Sequence, residues 1–313
     1  MNKLYLVIPC YNEEEVLPET KKRLKEKMSK LIKKNVISDE SKVIFVNDGS
    51  KDKTWQLIED FHKKDKLFGG INLTRNKGHQ NALLAGLLTV KNDADIVISM
   101  DADLQDDIDV IDKFIEEYEK GNDVVYGVRS SRKKDTFFKR NTALMFYRLM
   151  KFMGVDIIYN HADYRLMSKR AIDGLEQFKE VNLFLRGLVP LIGYNSSIVT
   201  YERSERFAGE SKYPLKKMLS FAIDGITSFS IKPIRLITTT GIIVSFISIL
   251  MLIYSIIRYF MGATIVGWSS LMVSVWFIGG IQILAIGIVG EYIGKIYLET
   301  KQRPRFLIKD YLK

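Results

Sequence analysis

With 313 residues, of which 47% are hydrophobic, the chain is long enough for one large domain with an appendage and can build a substantial core. Its formal net charge of +10 favours phosphate ligands or an anionic membrane surface. Nucleic acid is not an expected partner, because no compact basic element is interleaved with aromatic residues. Cys10 is the only cysteine, which excludes an intramolecular disulfide and a zinc site made of thiolates.

Short apolar runs alternate with helical patterns in the first part of the chain. They predict strands at Leu4–Pro9, Val43–Val46, Ile71–Leu73, Ile96–Met100 and Asp123–Tyr126, and helices at Glu13–Lys34, Thr54–Lys64, Gln80–Val90 and Ile108–Tyr118. This alternation predicts an α/β fold with a mostly parallel sheet, which binds ligands beyond the carboxyl ends of its strands. The glycine-rich motifs of dinucleotide-binding and P-loop domains are absent from the sequence, which excludes both classes.

Two long uncharged segments follow. Leu236–Ile257 and Ser269–Val289 are each long enough to cross a bilayer as a helix. Basic residues flank the outer ends of the pair, at Lys232, Arg235, Lys295, Lys301, Arg303 and Arg305. The positive-inside rule therefore predicts a multi-pass protein of the cytoplasmic (inner) membrane, with the large domain and both termini in the cytoplasm. Arg303 and Arg305 are expected at lipid headgroups.

These patterns divide the chain into four parts. They are a cytoplasmic catalytic domain at 1–213, a juxtamembrane amphipathic helix region at 214–235, two transmembrane helices within 236–290 and a cytoplasmic basic tail at 291–313. Apolar residues recur at helical spacing in the second part, at Leu215, Met218, Leu219, Ala222, Ile223, Ile226 and Phe229. This helix lies either in the headgroup layer or against the domain, and the nearby span favours the headgroup layer.

Polar loops follow the first two strands. In the first loop, Tyr11 could stack on a base and Glu13 could accept a hydrogen bond from a base or ribose. The alternative is local, with Asn12 capping the next helix. In the second loop, Asp48 stands at the strand end and Gly49 permits a tight turn, so a plain turn is the alternative there.

Acidic residues follow the strand that ends near Met100. Asp101 and Asp103 can both reach a hard divalent cation, Mg²⁺ or Mn²⁺, if the backbone turns sharply, and Gln105 offers another oxygen. Such an ion would offset the charge of a departing nucleotide diphosphate, so the pattern indicates a nucleotide-sugar transferase. A solvated acidic loop is the alternative. Asp106 and Asp107 are expected in the first turn of the following helix.

The second half of the domain adds two charged segments. Asp163-Tyr164-Arg165 is one segment; the other carries Arg203, Arg206 and Lys212 on a glycine-containing loop. This loop could bind a lipid phosphate or simply attract anionic headgroups.

The histidines of the chain are too scattered for a zinc site evident from sequence. His79 is expected to cap a helix or pack in the core, whereas His161 is left open.

Taken together, these motifs resemble the family-2 inverting glycosyltransferases with a GT-A fold. More narrowly, the chain is similar to the polyprenyl-phosphate glycosyltransferases related to dolichyl-phosphate mannose synthase. The matching segments span nearly the whole chain: Val7–Glu14, Val46–Ser50, Arg75–Gly78, Asp101–Asp106, Asp163–Met167, Arg203–Tyr213, Gly290–Gly294 and Arg303-Pro304.

The resemblance implies a role for individual residues. It assigns nucleotide binding to Pro9, Tyr11, Glu13, Asp48 and Asp101, metal binding to Asp101, Asp103 and Gln105, catalysis to Asp103 and Asp163, and acceptor or phosphate binding to Arg129, Arg140, Arg203, Arg206 and Lys212. Asp163 matches the position usually proposed as the base. A lipid monophosphate is already largely ionised at neutral pH, however, so Asp163 could instead orient Arg165 or the acceptor.

We therefore predict a membrane-anchored enzyme that transfers a sugar from a UDP-hexose or UDP-N-acetylhexosamine to undecaprenyl or another polyprenyl phosphate, with inversion. Its expected partners are the nucleotide sugar, the lipid acceptor and membrane lipid. A homo-oligomer is also compatible with the small residues Gly279, Gly280, Gly287 and Gly290. The alternatives are a processive polysaccharide synthase, whose Gln-x-x-Arg-Trp motif is absent from the sequence, and a non-catalytic scaffold that only binds the nucleotide sugar.

Overall fold

The computed structural model describes residues 1–130, 148, 152–153, 161–202, 225–228, 230–261 and 267–313 of the chain. The strands are β1 Leu4–Cys10, β2 Lys42–Asn47, β3 Phe68–Leu73, β4 Ile96–Ser99, β5 Val124–Arg129, β6 His161–Ser168, β7 Ser196–Tyr201 and β8 Ile308–Leu312. The helices are α1 Leu17–Lys33, α2 Thr54–Lys64, α3 His79–Val90, α4 Ile111–Glu119, α5 Lys169–Glu176, α6 Leu185–Leu191, α7 Lys232–Phe260 and α8 Trp268–Lys301, with a short 3₁₀ helix at Ile108–Val110.

One sheet contains all of these strands, in the order β7-β5-β6-β4-β1-β2-β3-β8. Strands β4, β1, β2 and β3 are parallel to their neighbours within that group, and β5 is parallel to β7. Only β6 and β8 run antiparallel to the strands beside them. The predicted α/β fold with a mostly parallel sheet is therefore confirmed.

The buried strand β1 shows that helices cover both faces of the sheet. All of its residues are buried, as expected for a parallel strand between two helical layers. Because side chains alternate along a strand, Leu4 and Leu6 pack in one core cluster with Leu24 of α1, whereas Tyr5 and Val7 pack in the other with residues of α3.

The first helix begins later than the sequence predicts. It starts at Leu17 rather than Glu13, and Val16 rather than Asn12 precedes it. Asn12 has a positive φ of 54°, and its Oδ1 accepts a hydrogen bond from Lys51 N at 2.9 Å. The capping role considered for Asn12 is therefore wrong, because this side chain joins the loop after β1 to the loop after β2.

The segment predicted as a basic tail also contains regular secondary structure. Helix α8 continues to Lys301, and β8 then pairs with β3 and forms one edge of the sheet. Between them, the guanidinium of Arg305 donates to the carbonyl oxygens of Phe178 and Glu180, at 3.3 and 3.5 Å. The headgroup contact predicted for Arg305 is thus wrong, because its guanidinium binds protein backbone instead.

Two of the helices are long and apolar enough to cross a membrane, at Lys232–Arg258 and Phe277–Lys301, and neither stretch is buried within the protein. The start of α7 lies beside the end of α8. Here Tyr292 Oη donates to Ser230 O at 2.5 Å, and Lys295 Nζ donates to Ser228 Oγ at 3.0 Å. Most of the predicted juxtamembrane helix lies outside the described residues.

We expect Gly86→Ala to destabilise the domain. A Cβ at Gly86 would lie 2.3 Å from Val7 Cγ1 and 2.8 Å from Val46 Cγ2, so α3 would have to move off the sheet. Overpacking of this kind costs about 1–3 kcal/mol, which opposes the gain of about 1 kcal/mol in helix propensity. Thermal unfolding in detergent should show a lower midpoint. Gly241→Ala, where the Cβ meets nothing within 4 Å, is the control; an equal or higher midpoint for Gly86→Ala would contradict this packing.

Candidate functional site

The loops after β1 and β2 are joined at the carboxyl edge of the sheet. Asn12 N donates to Ser50 Oγ at 3.0 Å, and Glu13 N donates to Thr54 Oγ1 at 2.9 Å. Pro9 is buried at the end of β1, whereas Tyr11 is 42% exposed. The structure thus brings Pro9, Tyr11 and Glu13 together, with an aromatic face accessible to a ligand; their nucleotide contacts stay predictions.

Asp48 organises the loop that leads into α3. Its carboxylate is buried and accepts hydrogen bonds from Lys77 N at 2.7 Å and Gly78 N at 2.9 Å. Burial raises the pKa of Asp48, while these two backbone donors oppose the increase. Gly49 has a positive φ of 64°, and a Cβ there would lie 2.5 Å from Asn76 N. Asp48 is therefore a structural brace here, whether or not it also contacts a nucleoside.

The acidic loop after β4 turns sharply, as the predicted metal site requires. Leu104 has a positive φ of 57°, which an ordinary L-residue adopts rarely. Asp103 is 6% exposed, and its Oδ1 accepts a hydrogen bond from Gln105 N at 3.2 Å. The side chain of Asp101 is about a third exposed. The turn therefore keeps the three predicted metal ligands on one short loop, in which Asp101 is more accessible than Asp103.

The charges of this loop fit a divalent cation. Burial, together with the charges of Asp103 and Asp163, raises the pKa of Asp101 above its ordinary value. A cation would relieve that repulsion, and carboxylate oxygen is a ligand that Mg²⁺ and Mn²⁺ accept. Among the described residues, no group of three or more His, Cys, Asp or Glu side chains is arranged around one metal position. Two carboxylates completed by substrate phosphates are a usual Mg²⁺ arrangement, so the donor set fits.

Asp107 behaves as predicted and Asp106 does not. Asp107 precedes the 3₁₀ helix and accepts a hydrogen bond from Asp109 N at 2.9 Å. Asp106 is instead 3% exposed and accepts a hydrogen bond from Tyr201 Oη at 2.5 Å. Burial and the charge of Asp101 raise the pKa of Asp106 to about 7. The helix-start prediction for Asp106 is therefore wrong, because this carboxyl group points into the domain toward β7.

Asp163 lies between two arginines. Arg165 Nη2 donates to its Oδ1 at 2.5 Å, and Arg186 Nη2 donates to its Oδ2 at 3.1 Å. Burial opposes ionisation of this carboxyl group, but Arg186 and Arg165 outweigh burial and hold the pKa of Asp163 well below its usual range. A carboxylate of such low basicity is a poor proton acceptor. The geometry favours the alternative in which Asp163 orients Arg165.

His79 lies between the acidic loop after β4 and the cluster of Asp163 with its two arginines. Its Nε2 lies 3.5 Å from Asp101 Oδ1 and 3.7 Å from Asp163 Oδ2, and the side chain is 43% exposed. The expected capping or core role is wrong, since no side-chain cap is formed at the start of α3 and the ring is not in the core. His79 instead marks where the acidic loop meets the Asp163–arginine cluster.

Sequence reasoning missed three of these residues. His79 directly follows Arg75–Gly78, one of the segments that carry the family resemblance, so the sequence did contain a signal for His79. Arg186 and Tyr201 had no such signal, because each reaches the site through a contact distant in sequence. Arg129 ends β5 near Tyr201 and Asp106, consistent with a place in the crevice. Four predicted phosphate-binding residues lie outside the described residues: Arg140, Arg203, Arg206 and Lys212.

We expect Asp163→Asn to cost about 3–5 kcal/mol of unfolding free energy, because it leaves the buried Arg165 without a counter-charge. The loss should be the same at pH 7 and pH 5. A depressed pKa gives stability that is complete above the ordinary value near 3.8 and lost only as the pH falls further, through the folded-state pKa.

Equilibrium unfolding in detergent at the two pH values measures this effect. Asp173→Asn removes a carboxylate that pairs with Lys91 at a largely exposed position, and should change the free energy little. Equal small losses for the two variants would show that the Asp163 cluster does not stabilise the domain.

Comparisons with known proteins show the family to which the chain belongs. Residues 5–175 match the family model "Glycosyl transferase family 2". The chain is 55% identical to the uncharacterized glycosyltransferase YkoT of Bacillus subtilis (strain 168), over 97% of this chain and 90% of that protein. It is 42% identical to the bactoprenol glucosyl transferase of Shigella phage SfX, over 98% of this chain and 99% of that protein.

Among solved structures, glucosyl-3-phosphoglycerate synthase from Mycobacterium tuberculosis, in complex with Mn²⁺, UDP and phosphoglyceric acid, superposes with a TM-score of 0.46 and 15% identity, over 72% of this chain and 76% of that one. A likeness at that level carries no argument about activity. The family match and the mostly parallel sheet confirm the predicted GT-A-like fold class. This chain belongs to glycosyl transferase family 2 and is a glycosyltransferase.

Proposed function

We propose that the chain transfers a hexosyl group from a nucleotide-sugar donor to a polyprenyl phosphate, with inversion at the anomeric carbon. In this reaction the bond from the anomeric carbon to the donor diphosphate breaks, and its electron pair leaves with the nucleoside diphosphate. A new bond forms between the anomeric carbon and an oxygen of the acceptor phosphate. Relatives named bactoprenol glucosyl transferase, alignable with almost the whole chain, support this lipid acceptor.

One observation carries the proposal. Through His79, a carboxylate suited to a metal-bound diphosphate adjoins a cluster whose partly exposed arginine, Arg186, is suited to a phosphate. A transfer between a diphosphate and a phosphate needs these opposite charges close together. A pocket that bound only the nucleotide sugar would have no need for the second group.

The residues divide the work as follows. Asp101 and Asp103, with Gln105, would hold a divalent cation, which when bound offsets the charge that develops on the departing diphosphate. Arg186, whose side chain is 31% exposed, would contact the acceptor phosphate. Asp163 stays ionised and fixes both arginines. Because the acceptor phosphate is itself largely ionised at neutral pH, little proton abstraction is required.

The pairing of the last strand in the sheet supports one membrane arrangement. Strand β8 comes after both apolar helices, yet it pairs with β3 of the N-terminal domain. If α7 and α8 cross a bilayer, the chain must therefore return to the side from which it left. This supports a two-helix hairpin in the cytoplasmic membrane, with the catalytic domain and both termini in the cytoplasm, as the basic flanks also suggest.

The donor is proposed to be a UDP-hexose or UDP-N-acetylhexosamine. Since the relatives cited are named glucosyl transferases, UDP-glucose is the first donor to test. Both Mg²⁺ and Mn²⁺ are compatible with the oxygen ligands.

Asp103→Asn should lower transfer by more than about a hundredfold, since even outer-shell partners of a metal site are worth about 10–100-fold. The assay follows label from UDP-glucose into the organic phase with undecaprenyl phosphate, before and after EDTA and with Mg²⁺ or Mn²⁺ restored. Asp107→Asn, which removes the same charge from the same loop, should stay within about twofold of wild type.

Two outcomes would reject this proposal. Transfer that persists both after EDTA treatment and in the Asp103→Asn variant would show that the reaction does not need a metal at this site. Binding of a panel of nucleotide sugars without transfer from any of them would favour the scaffold alternative.

Thiol labelling tests the proposed topology. A cysteine at Met261, exposed at the end of α7, should react in intact cells with a membrane-impermeant reagent, whereas one at the exposed Asp39 should react only after permeabilisation. Cys10 is buried and should stay unlabelled in the folded protein. Equal labelling of both engineered sites in intact cells would contradict the hairpin.

A further inference from the structure

The end of helix α8 contacts the loop between α5 and α6, residues 177–184, through one carboxylate. Glu299 Oε1 and Oε2 accept hydrogen bonds from Val181 N at 2.9 and 2.8 Å, and Oε1 also accepts one from Asn182 N at 2.9 Å. Charge-assisted hydrogen bonds of this type are stronger than those between neutral groups. One carboxylate therefore fixes two successive peptide groups of the α5–α6 loop.

This loop leads directly into the Asp163–arginine cluster. Helix α6 begins at Leu185, whose N–H donates to Gln80 Oε1 at 2.9 Å and whose carbonyl oxygen accepts from Arg165 Nη1 at 3.4 Å. The next residue is Arg186, which donates to Asp163. The first turn of α6 thus touches both α3, which carries His79, and the buried Arg165.

The same loop is held a second time by the segment after α8. Arg305 donates to the carbonyl oxygens of Phe178 and Glu180. Strand β8 then anchors that segment on β3, and Asn72 Nδ2 donates to Asp310 Oδ2 at 2.9 Å. The α5–α6 loop is consequently held by Glu299, near the end of the second apolar helix, and by Arg305, which follows that helix.

We infer that Glu299 is a positioning residue for the acceptor side of the site: by holding the N–H groups of Val181 and Asn182, it sets the start of α6 and so the place of Arg186 against Asp163. The kinetic consequence rests on the proposed transfer to a polyprenyl phosphate. Since Glu299 lies on α8, the inference also gives that apolar helix a direct mechanical connection to the reaction centre. The hydrogen bonds of Glu299 go to the α5–α6 loop and not to the Asp163–arginine pairs, so the connection runs through that loop.

Kinetics of the full-length protein in detergent, with UDP-glucose and undecaprenyl phosphate, test the inference. In Glu299→Ala, we expect kcat/KM for the lipid to fall at least tenfold, while the Kd for UDP-glucose with Mn²⁺ changes less than twofold. Glu299→Gln should restore part of the loss, because its amide oxygen can still accept a backbone N–H. Glu119→Gln, at an exposed helix end, is the charge-matched control.

A purely structural role predicts a different pattern. Loss of folded protein would lower kcat to the same degree whichever substrate is varied, would leave both KM values unchanged and would give no separate benefit to Gln. That result, or unchanged lipid kcat/KM in Glu299→Ala, would overturn the inference.

Hydrogen–deuterium exchange separates this inference from the proposed function. In wild type, the amides of Val181 and Asn182 should exchange slowly; in Glu299→Ala they should exchange at least tenfold faster, with faster exchange extending to Gly187 and Leu188. Exchange that is identical in the two proteins would reject the positioning role even if transfer is observed. If wild type transfers no sugar to the lipid, the proposed function fails, and the exchange data still decide whether Glu299 holds the loop.

Discussion

A buried carboxylate between two guanidinium groups is the interaction on which the site depends. Charges taken out of water must be paired, and Asp163 and Arg165 are 8% and 1% exposed. Asp163 lies on β6 and Arg186 on α6, so their pairing ties a strand inside the sheet to a short helix. Removing any partner leaves an uncompensated charge, which is why this set constrains both its neighbours and its own protonation state.

The electrostatic pattern next to this cluster has the opposite sign. Burial and neighbouring carboxylates raise the pKa values of Asp101 and Asp106, whereas arginines lower the pKa of Asp163 and keep it ionised. The proposed cation-dependent diphosphate site and the proposed phosphate site can therefore lie side by side without cancelling each other. The 3.5 and 3.7 Å separations at His79 show how short the distance between the two regions is.

Local sequence signals predicted much of this, and their limits have a physical cause. Buried apolar runs identified the parallel strands, and the strand that ends before Asp101 correctly placed the acidic loop at the sheet edge. The direction of Asp106 was not predictable, because its partner Tyr201 is far along the chain. Strand β8 and Glu299 were missed for the same reason. Their partners are set by tertiary packing, and neither hydrophobic period nor turn chemistry records such contacts.

The antiparallel pairing of β8 with β3 has a consequence for biogenesis. Translation proceeds from the N-terminus, so the edge of β3 is made early, while its partner β8 is made only after both apolar helices. Asn72 and Asp310, which join the two strands, are 238 positions apart. An unpaired strand edge is a template for association with other chains. The β3 edge therefore stays open while the chain from β4 to the end of α8 is synthesised, and this side of the sheet is completed only once β8 has been made.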